Sequence, residues 1–477
     1  MGKIDFGTIR EGLAAIVPGE HHSPGEPILT SLMVFPPGHK TALDPDRPLV
    51  VGNRGMGKSF WTHALVDQTA KGLVSDRYGL LKQYSAVIGF NGSDRYDGVA
   101  PTALFLADAL RQDLDPLAIW RTVLVLIALN QLLDYQRPNT VGGFVEWVKY
   151  VIENSEFTEE VIRDLDDALS AKGRKLLVLF DALDRLADDW SQIRSLTKAL
   201  LRLTLGVQSY RSVRIKLFMR RDQFEDEELF RFADGSKIRN SYVDLRWEAR
   251  DLYRLLFTRL QTDRKSASEF VKMKEQLNSG GDISASDQDM RLVESLAGQF
   301  MGATDKRGRV YTWLPLHLAD AHDETSPRTF LTVWCTAAKS GQPPVGRAVD
   351  HLGLLEGVRK ASADRMAELR EDYPWIDLAL HPLNGLLVPL DRKQLFDLWI
   401  QNQTSRLVLD TSRNKIAPVQ MMGTDGSAEE SLLEALKAIG ILEERNNGKI
   451  NVPDIYRVEA GIKRKGGVKP PGRHQNR

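Results

Sequence analysis

A parallel β-sheet with helices on both faces, an α/β fold, is predicted by three stretches of this chain. Residues 48–51 (PLVV) are a short apolar run that leads at once into Gly52-Asn53-Arg54-Gly55-Met56-Gly57-Lys58-Ser59, after which SFWTHALVDQ is free of Gly and Pro. Residues 176–180 (LLVLF) are five apolar residues closed by Asp181. Residues 213–219 (VRIKLFM) lead straight into Arg220-Arg221-Asp222. Apolar runs of this length, ending in polar residues, read as strands buried on both faces, and ligands of open α/β sheets bind at the C-terminal edge of such strands.

The first stretch has the spacing G-x-x-x-x-G-K-S in the order strand, glycine-rich turn, helix, which is the setting a phosphate-binding loop requires. Glycines at 52, 55 and 57 let backbone N–H groups face phosphate oxygens that side chains would otherwise block. The helix N-terminus adds unpaired N–H groups and a partial positive charge. Lys58 reaches the β- and γ-phosphates of a nucleotide, and the Ser59 hydroxyl ligates Mg²⁺. The expected binding segment is Gly52, Asn53, Arg54, Gly55, Met56, Gly57, Lys58, Ser59 and Phe60.

Asp181, at the end of its strand, is placed to hold Mg²⁺ through water, or else to cap a following helix. Asp184, three residues on, is within reach of the γ-phosphate side to orient or deprotonate an attacking water. Arg220 is the candidate γ-phosphate sensor, with Arg221 second; the alternative is that the paired arginines only neutralise Asp222 and the acidic run Glu225–Glu228.

At 477 residues the chain is too long for one core and suggests two to four domains. Lys+Arg and Asp+Glu are equal at 64 each, so no global field attracts nucleic acid or membrane, and any such partner needs a local patch. A single cysteine, Cys335, excludes an intramolecular disulfide and a cysteine-built zinc site. The first thirty residues do not read as a signal peptide and nowhere are eighteen apolar residues uninterrupted, so a soluble, cytoplasmic protein without a membrane contact is expected.

In chain order, residues 1–45 form a Gly- and Pro-rich extension with a short helix at Phe6–Ile16 and two surface histidines, His21 and His22. Ser85–Phe90 is a second strand, ended by Asn91-Gly92. Residues 101–134 are one or two helices, and Trp120, Val123, Leu124 and Ile127 make an i, i+3, i+4, i+7 stripe. Residues 135–155 are a loop leading into a helix at 157–171, for which Thr158 is the expected N-cap. Tyr242–Leu245 is a short strand, and Trp247 opens an amphipathic helix. The polar stretch 263–290 is the expected mobile insertion. Ser326-Pro327-Arg328 starts another helix, where Arg328 either points toward a nucleotide or lies on the surface.

Residues 346–373 are a long charged helix or a pair, and Pro374-Trp375 marks a boundary. Ala428–Ile439 is a helix closed by Gly440, and residues 441–452 form a hairpin turned at Asn447-Gly448. Helices followed by one hairpin suggest a winged helix, but Glu429, Glu430 and Glu434 give the helix before the wing the wrong sign for DNA. That favours a protein contact. From Lys463 to Arg477 there are six Lys/Arg and no acid, a basic and unstructured tail that either meets nucleic acid or an acidic surface or is simply solvated.

GNRGMGKS, LLVLFDALDRL, IKLFMRRD with YVDLRWEARDLYRLLFTRL, and SPRTF, in this order, resemble prokaryotic P-loop ATPases of the additional-strand (ASCE) class, close to the STAND and AAA+ groups, over residues 46–340. The resemblance implies a P-loop NTPase core with a central parallel sheet at 46–245 and a helical lid at 246–345. A mostly α, winged-helix-like domain at 346–460 and the basic tail at 461–477 would follow. It implies ATP and Mg²⁺ as ligands, with Ser59 and Asp181 holding the metal, Lys58, Asp181, Asp184 and Arg220 acting in hydrolysis, and Arg328 as the lid arginine. One departure is that Ala182, not an acid, follows Asp181. STAND chains share the D-x-x-D spacing, so slow or partner-activated hydrolysis is expected. By kinship alone, the chain would be a nucleotide-controlled switch in a bacterial multi-protein system such as phage defence, with a protein partner or self-association. The alternative is a nucleotide-dependent DNA-binding or scaffold protein with negligible hydrolysis.

Overall fold

The computed structural model describes residues 3–19, 27–132, 138, 141–278, 284–412 and 426–465. The chain divides into two units, one made of residues 22–30 and 37–245 and the other of residues 1–21, 31–36 and 246–477.

The first unit is built on five strands: β1 (Leu49–Val51), β2 (Tyr84–Phe90), β3 (Lys175–Phe180), β4 (Val213–Met219) and β5 (Val243–Asp244). Their order across the sheet is β2-β3-β4-β1-β5, and every pair is parallel. Parallel neighbours need crossovers, and here these are helices such as Lys58–Val66, Pro116–Gln131 and Trp190–Val207. β1 and β3 are not neighbours: β4 is inserted between them, with Leu49 beside Leu217 and Phe180 beside Leu217 from the other side. This brings the C-terminal ends of β1, β3 and β4, where the motif residues lie, to one edge.

Apolar side chains explain why these strands are central. Val50, Val51, Leu176–Phe180 and Leu217 are fully buried. Trp120 packs edge-on against Phe180 with ring centroids 5.5 Å apart, and its indole N–H donates to the Leu196 carbonyl at 2.8 Å. A Cβ at Gly89 would lie 2.5 Å from the Phe180 ring, so that glycine is required by close approach, at the point where the β2–β3 register shifts.

Lys216, in the middle of β4, is a charged side chain in this core that sequence reading passes over. It is fully buried, and its ammonium donates to the carbonyls of Ala42 (2.7 Å), Asp44 (2.9 Å) and Arg47 (2.7 Å). Those carbonyls belong to the segment entering β1, so Lys216 fastens that segment to the neighbouring strand.

The second unit is helical, with a continuous apolar core running from Ile9 and Leu13 to Ile455, Tyr456 and Ile462. The helix Phe6–Ala15 is part of it: Arg10 donates to the carbonyls of Ala348 (3.0 Å) and Ser340 (2.6 Å), and the Cys335 thiol lies 3.5 Å from the Ala14 carbonyl. Helices Pro327–Lys339 and His351–Asp372 touch at Gly357, where an added Cβ would sit 2.4 Å from the Val333 carbonyl.

At the C-terminal end, helices Arg392–Gln401, Thr404–Ser412 and Ala428–Ala438 precede an antiparallel hairpin, Glu443–Glu444 with Lys449–Asn451. Leu390–Asp391 adds a third strand on the Lys449–Asn451 side. This is a winged-helix-like order of elements. Gly440 closes the Ala428–Ala438 helix at φ 77°, and Gly448 turns the hairpin at φ 73°.

Several local expectations are corrected. Thr158 is not an N-cap: the helix begins at Ser155 with Asn154 before it, and Thr158 is buried inside its first turns, donating to the Asn154 carbonyl at 3.0 Å. Within the polar stretch 263–290, Ala267–Asn278 and the part from Ala285 on are helical, because Phe270, Met273, Leu292 and Val293 give them an apolar face despite the polar composition; residues 279–283 lie outside the described residues. Pro374-Trp375 ends a helix but is not a linker, since Trp375 is buried in the helical core. Lys463 and Arg464, read as the start of an unstructured tail, form a strand parallel to Leu387–Val388; Arg464 is held there by Asp454 at 3.2 Å. His21, His22 and residues 466–477 lie outside the described residues.

Candidate functional site

The loop between β1 and the helix Lys58–Val66 takes its shape from backbone constraints. Gly52 N–H donates to the Met219 carbonyl (3.1 Å), so the chain leaves β1 still tied to β4. Gly55 (φ 84°) and Gly57 (φ 97°) lie in the left-handed region, where a side chain would be strained. Gly57 carries the first helical turn, its carbonyl accepting from the Trp61 N–H at 3.0 Å. Met56 is buried beneath the loop, and Asn53 closes the turn by accepting from the Met56 N–H (3.4 Å). Trp61 anchors the helix from behind through its indole N–H to the His39 ring (3.1 Å), both residues being buried, and Phe60 packs edge-on to Trp61. Arg54 sits half-buried in the same loop.

The Lys58 ammonium folds back over the loop and donates to the carbonyls of Gly52 (2.7 Å) and Asn53 (3.1 Å). Burial lowers its pKa from the usual lysine range, while Asp181 and Asp184 pull it the other way.

Asp181 follows β3 and is 3% exposed; its N–H donates to the Phe90 carbonyl at 2.9 Å. The Ser59 hydroxyl lies close enough to its carboxylate to favour the charged form. Burial raises the Asp181 pKa, and the Ser59 hydroxyl and the Lys58 charge only partly oppose this. Ala182 is left-handed (φ 54°), and the single 3₁₀ turn Leu183–Arg185 that follows is flanked by Ala182 and not capped by Asp181, so the capping alternative for Asp181 does not hold. The turn brings Asp184 back to the strand ends.

Arg220, at the end of β4, donates from Nη1 to Asp184 (3.3 Å) and from Nε to Asp222 (3.1 Å). Arg221 turns elsewhere: it is buried against Asp244 at the end of β5, with Glu225 3.9 Å away. Of the two arginines, then, Arg220 faces the site. The alternative, that the paired arginines neutralise Asp222 and the run Glu225–Glu228, holds in part: Arg220 binds Asp222 (3.1 Å) and Arg221 lies 3.9 Å from Glu225, while Asp226 pairs with Arg194 (2.7 Å).

The core unit thus gathers Lys58, Ser59, Asp181, Asp184 and Arg220 from three different strand ends. Arg328 belongs to the other unit, on the first turn of helix Pro327–Lys339, with Ser326 as N-cap, and it donates to Glu368 at 2.6 Å. Asp222 escaped sequence reasoning as a site residue. The available signal was the R-x-D spacing directly after a core strand.

The residues fit a hydrated divalent cation accompanied by phosphate. A hydroxyl and a carboxylate close together supply two oxygen ligands, and among the described residues no group of three or more His, Cys, Asp or Glu forms a protein-only metal site. Mg²⁺ characteristically takes one or two protein oxygens and completes its shell with water and phosphate. Because the raised Asp181 pKa means that its proton leaves at higher pH than an ordinary aspartate's, Mg²⁺-dependent nucleotide affinity should fall on acidification while the pH is still above about 4. Titrating affinity against pH for wild type and Asp181→Asn checks this: the acid limb should vanish in the variant.

Fold and site together define an α/β protein with a glycine-rich G-x-x-x-x-G-K-S loop after β1 and a strand, β4, inserted between β1 and the aspartate strand β3. No protein-family model matches the chain, and no curated protein does. Solved structures similar to it include Cdc6p from Pyrobaculum aerophilum, at 11% identity over 87% of this chain and 86% of that one, with a TM-score of 0.30. Another is the ORC2 protein of Aeropyrum pernix in its ADPNP–ADP complexes, at 12% identity over 91% of this chain and 98% of that one, also with a TM-score of 0.30. Among the described residues no helix is long and apolar enough to cross a membrane.

Proposed function

We propose that this chain binds ATP with Mg²⁺ at the Gly52–Phe60 loop and hydrolyses it slowly, acting as a nucleotide-controlled switch. The observation that carries the reading is the convergence of Ser59 and Asp181, two metal-ligand candidates 122 positions apart, close to each other and to the Lys58 ammonium. Lys58 holds the β- and γ-phosphates, exchanging the Gly52 and Asn53 carbonyls for phosphate oxygens. Ser59 and Asp181 hold the cation. Mg²⁺, when bound, supplies charge neutralisation on the phosphates. Asp184 accepts the proton of the attacking water at a carboxylate oxygen, and Arg220 stabilises charge developing on the terminal phosphate.

Slow turnover is supported by two features: Ala182 offers no carboxylate beside Asp181, and Asp184 is engaged by Arg220. The same features favour a second reading, a nucleotide-dependent DNA-binding or scaffold protein with negligible hydrolysis. Asp184→Asn separates the two in a steady-state assay with a binding measurement alongside. A general base is worth on the order of 10²–10⁴ in rate, so the first reading expects turnover to drop at least ~100-fold with ATP affinity nearly unchanged. Wild type without measurable turnover, alone or with DNA, would support the second. A role in a bacterial multi-protein system, phage defence included, and a protein partner or self-association rest on the STAND-like motifs alone.

A further inference from the structure

Arg220 is clamped from two sides, and the two carboxylates are not equivalent. Asp184 lies on the turn after β3, 36 residues away in sequence, and its side chain is 31% exposed. Asp222 is two residues from Arg220, its side chain is 15% exposed, and it takes the Nε–H. The Arg220 backbone is fixed as well, as the residue preceding the short helix Arg221–Phe224: its carbonyl accepts from the Phe224 N–H (3.0 Å), and Gln223 lies 3.4 Å from its N–H. A guanidinium held at Nε can exchange partners at Nη1 without losing its place, because its planar fork pivots on the remaining bond.

We propose that Asp222 is the positioning residue that makes Arg220 a discriminator between nucleoside triphosphate and diphosphate. Asp222 keeps the Nε edge, and the exchangeable Nη1 contact passes from Asp184 to the terminal phosphate. A triphosphate thereby both gains the arginine and releases Asp184, whereas a diphosphate leaves the Arg220–Asp184 contact in place. Without Asp222, the guanidinium is drawn wholly to Asp184, and the triphosphate must compete for it. This rests on the nucleotide site proposed above.

The test is calorimetric and needs no turnover. A non-hydrolysable ATP analogue and ADP, each with Mg²⁺, are titrated into full-length wild type, Asp222→Ala, Asp222→Asn and Lys58→Ala. Wild type should prefer the triphosphate. In Asp222→Ala that preference should shrink by about tenfold, the scale of one charge-assisted hydrogen bond, with ADP affinity within about twofold of wild type. Asp222→Asn, which keeps an acceptor for Nε–H, should fall between. An unchanged preference in Asp222→Ala, an equal loss for both nucleotides, or a wild type without preference would overturn the assignment. If neither nucleotide binds wild type, or Lys58→Ala binds as wild type does, the nucleotide site itself fails instead.

Discussion

Lys58→Ala should reduce ATP affinity by at least ~100-fold and abolish any turnover while the fold persists. The ammonium is the mobile cation of the loop: its ligands are two backbone carbonyls, Gly52 and Asn53, both of which it can relinquish to phosphate. Charge-assisted hydrogen bonds are worth roughly 1.5–3 kcal/mol each, so loss of those Lys58 makes to two phosphates brings at least that factor. The loop itself does not depend on the amine, since its shape comes from Gly55, Gly57 and the Gly52–Met219 hydrogen bond. Thermal denaturation makes this visible without a label. ATP at a hundred times the wild-type dissociation constant should stabilise wild type by about 2.7 kcal/mol and the variant by no more than about 0.4 kcal/mol. An equal shift in both would remove Lys58, and with it the proposed site, from consideration.

Lys216→Met should cost about 3 kcal/mol of stability. Methionine fills a similar volume, so cavity formation contributes little. What remains is three carbonyls, those of Ala42, Asp44 and Arg47, deprived of a charged donor in a buried place. The pH dependence has a definite sign. Burial lowers the Lys216 pKa to about 7, against 10.5 for an exposed lysine. Between those values the unfolded chain binds the proton more tightly, so wild-type stability rises with pH from about 7 upward. The methionine variant lacks this slope. Urea denaturation of both at pH 6 and pH 9 reads the difference, and parallel curves would show that Lys216 does not titrate as its burial requires.

What could be read from sequence follows from how local each signal is. Gly52–Ser59 and Leu176–Asp181 are local: a positive φ needs glycine, and a strand buried on both faces needs an unbroken apolar run. The placement of β4 between β1 and β3 was legible only through the likeness to additional-strand ATPases, since no residue in VRIKLFM states its neighbours. Lys216 left a trace, a charge in the middle of a core strand, but its meaning lay in carbonyls some 170 residues earlier. Helices at 267–278 and 285–297 were hidden by composition, because a few well-spaced apolar residues suffice for one face while polar residues make up most of the stretch 263–290. Thr158 misled because it precedes acidic residues as a cap would. Its hydroxyl instead bonds back to a carbonyl four residues earlier. Asp222 was treated as the thing neutralised, not as the thing that holds.

The helix Phe6–Ala15 is made long before its partners are. Its partners run from Lys265 and Glu269, which meet Glu11 and the Asp5 N–H, to Ser340, Ala348 and the Cys335 thiol, 254 to 338 residues downstream. At roughly 5–20 residues per second, a ribosome needs some 15–65 s to reach them. During that interval the apolar stripe of Ile9 and Leu13 is uncovered while the phosphate-loop unit is completed. Synthesis and docking of this helix are therefore separated in time, and its ten residues are a natural client for whatever shields nascent chains as they emerge.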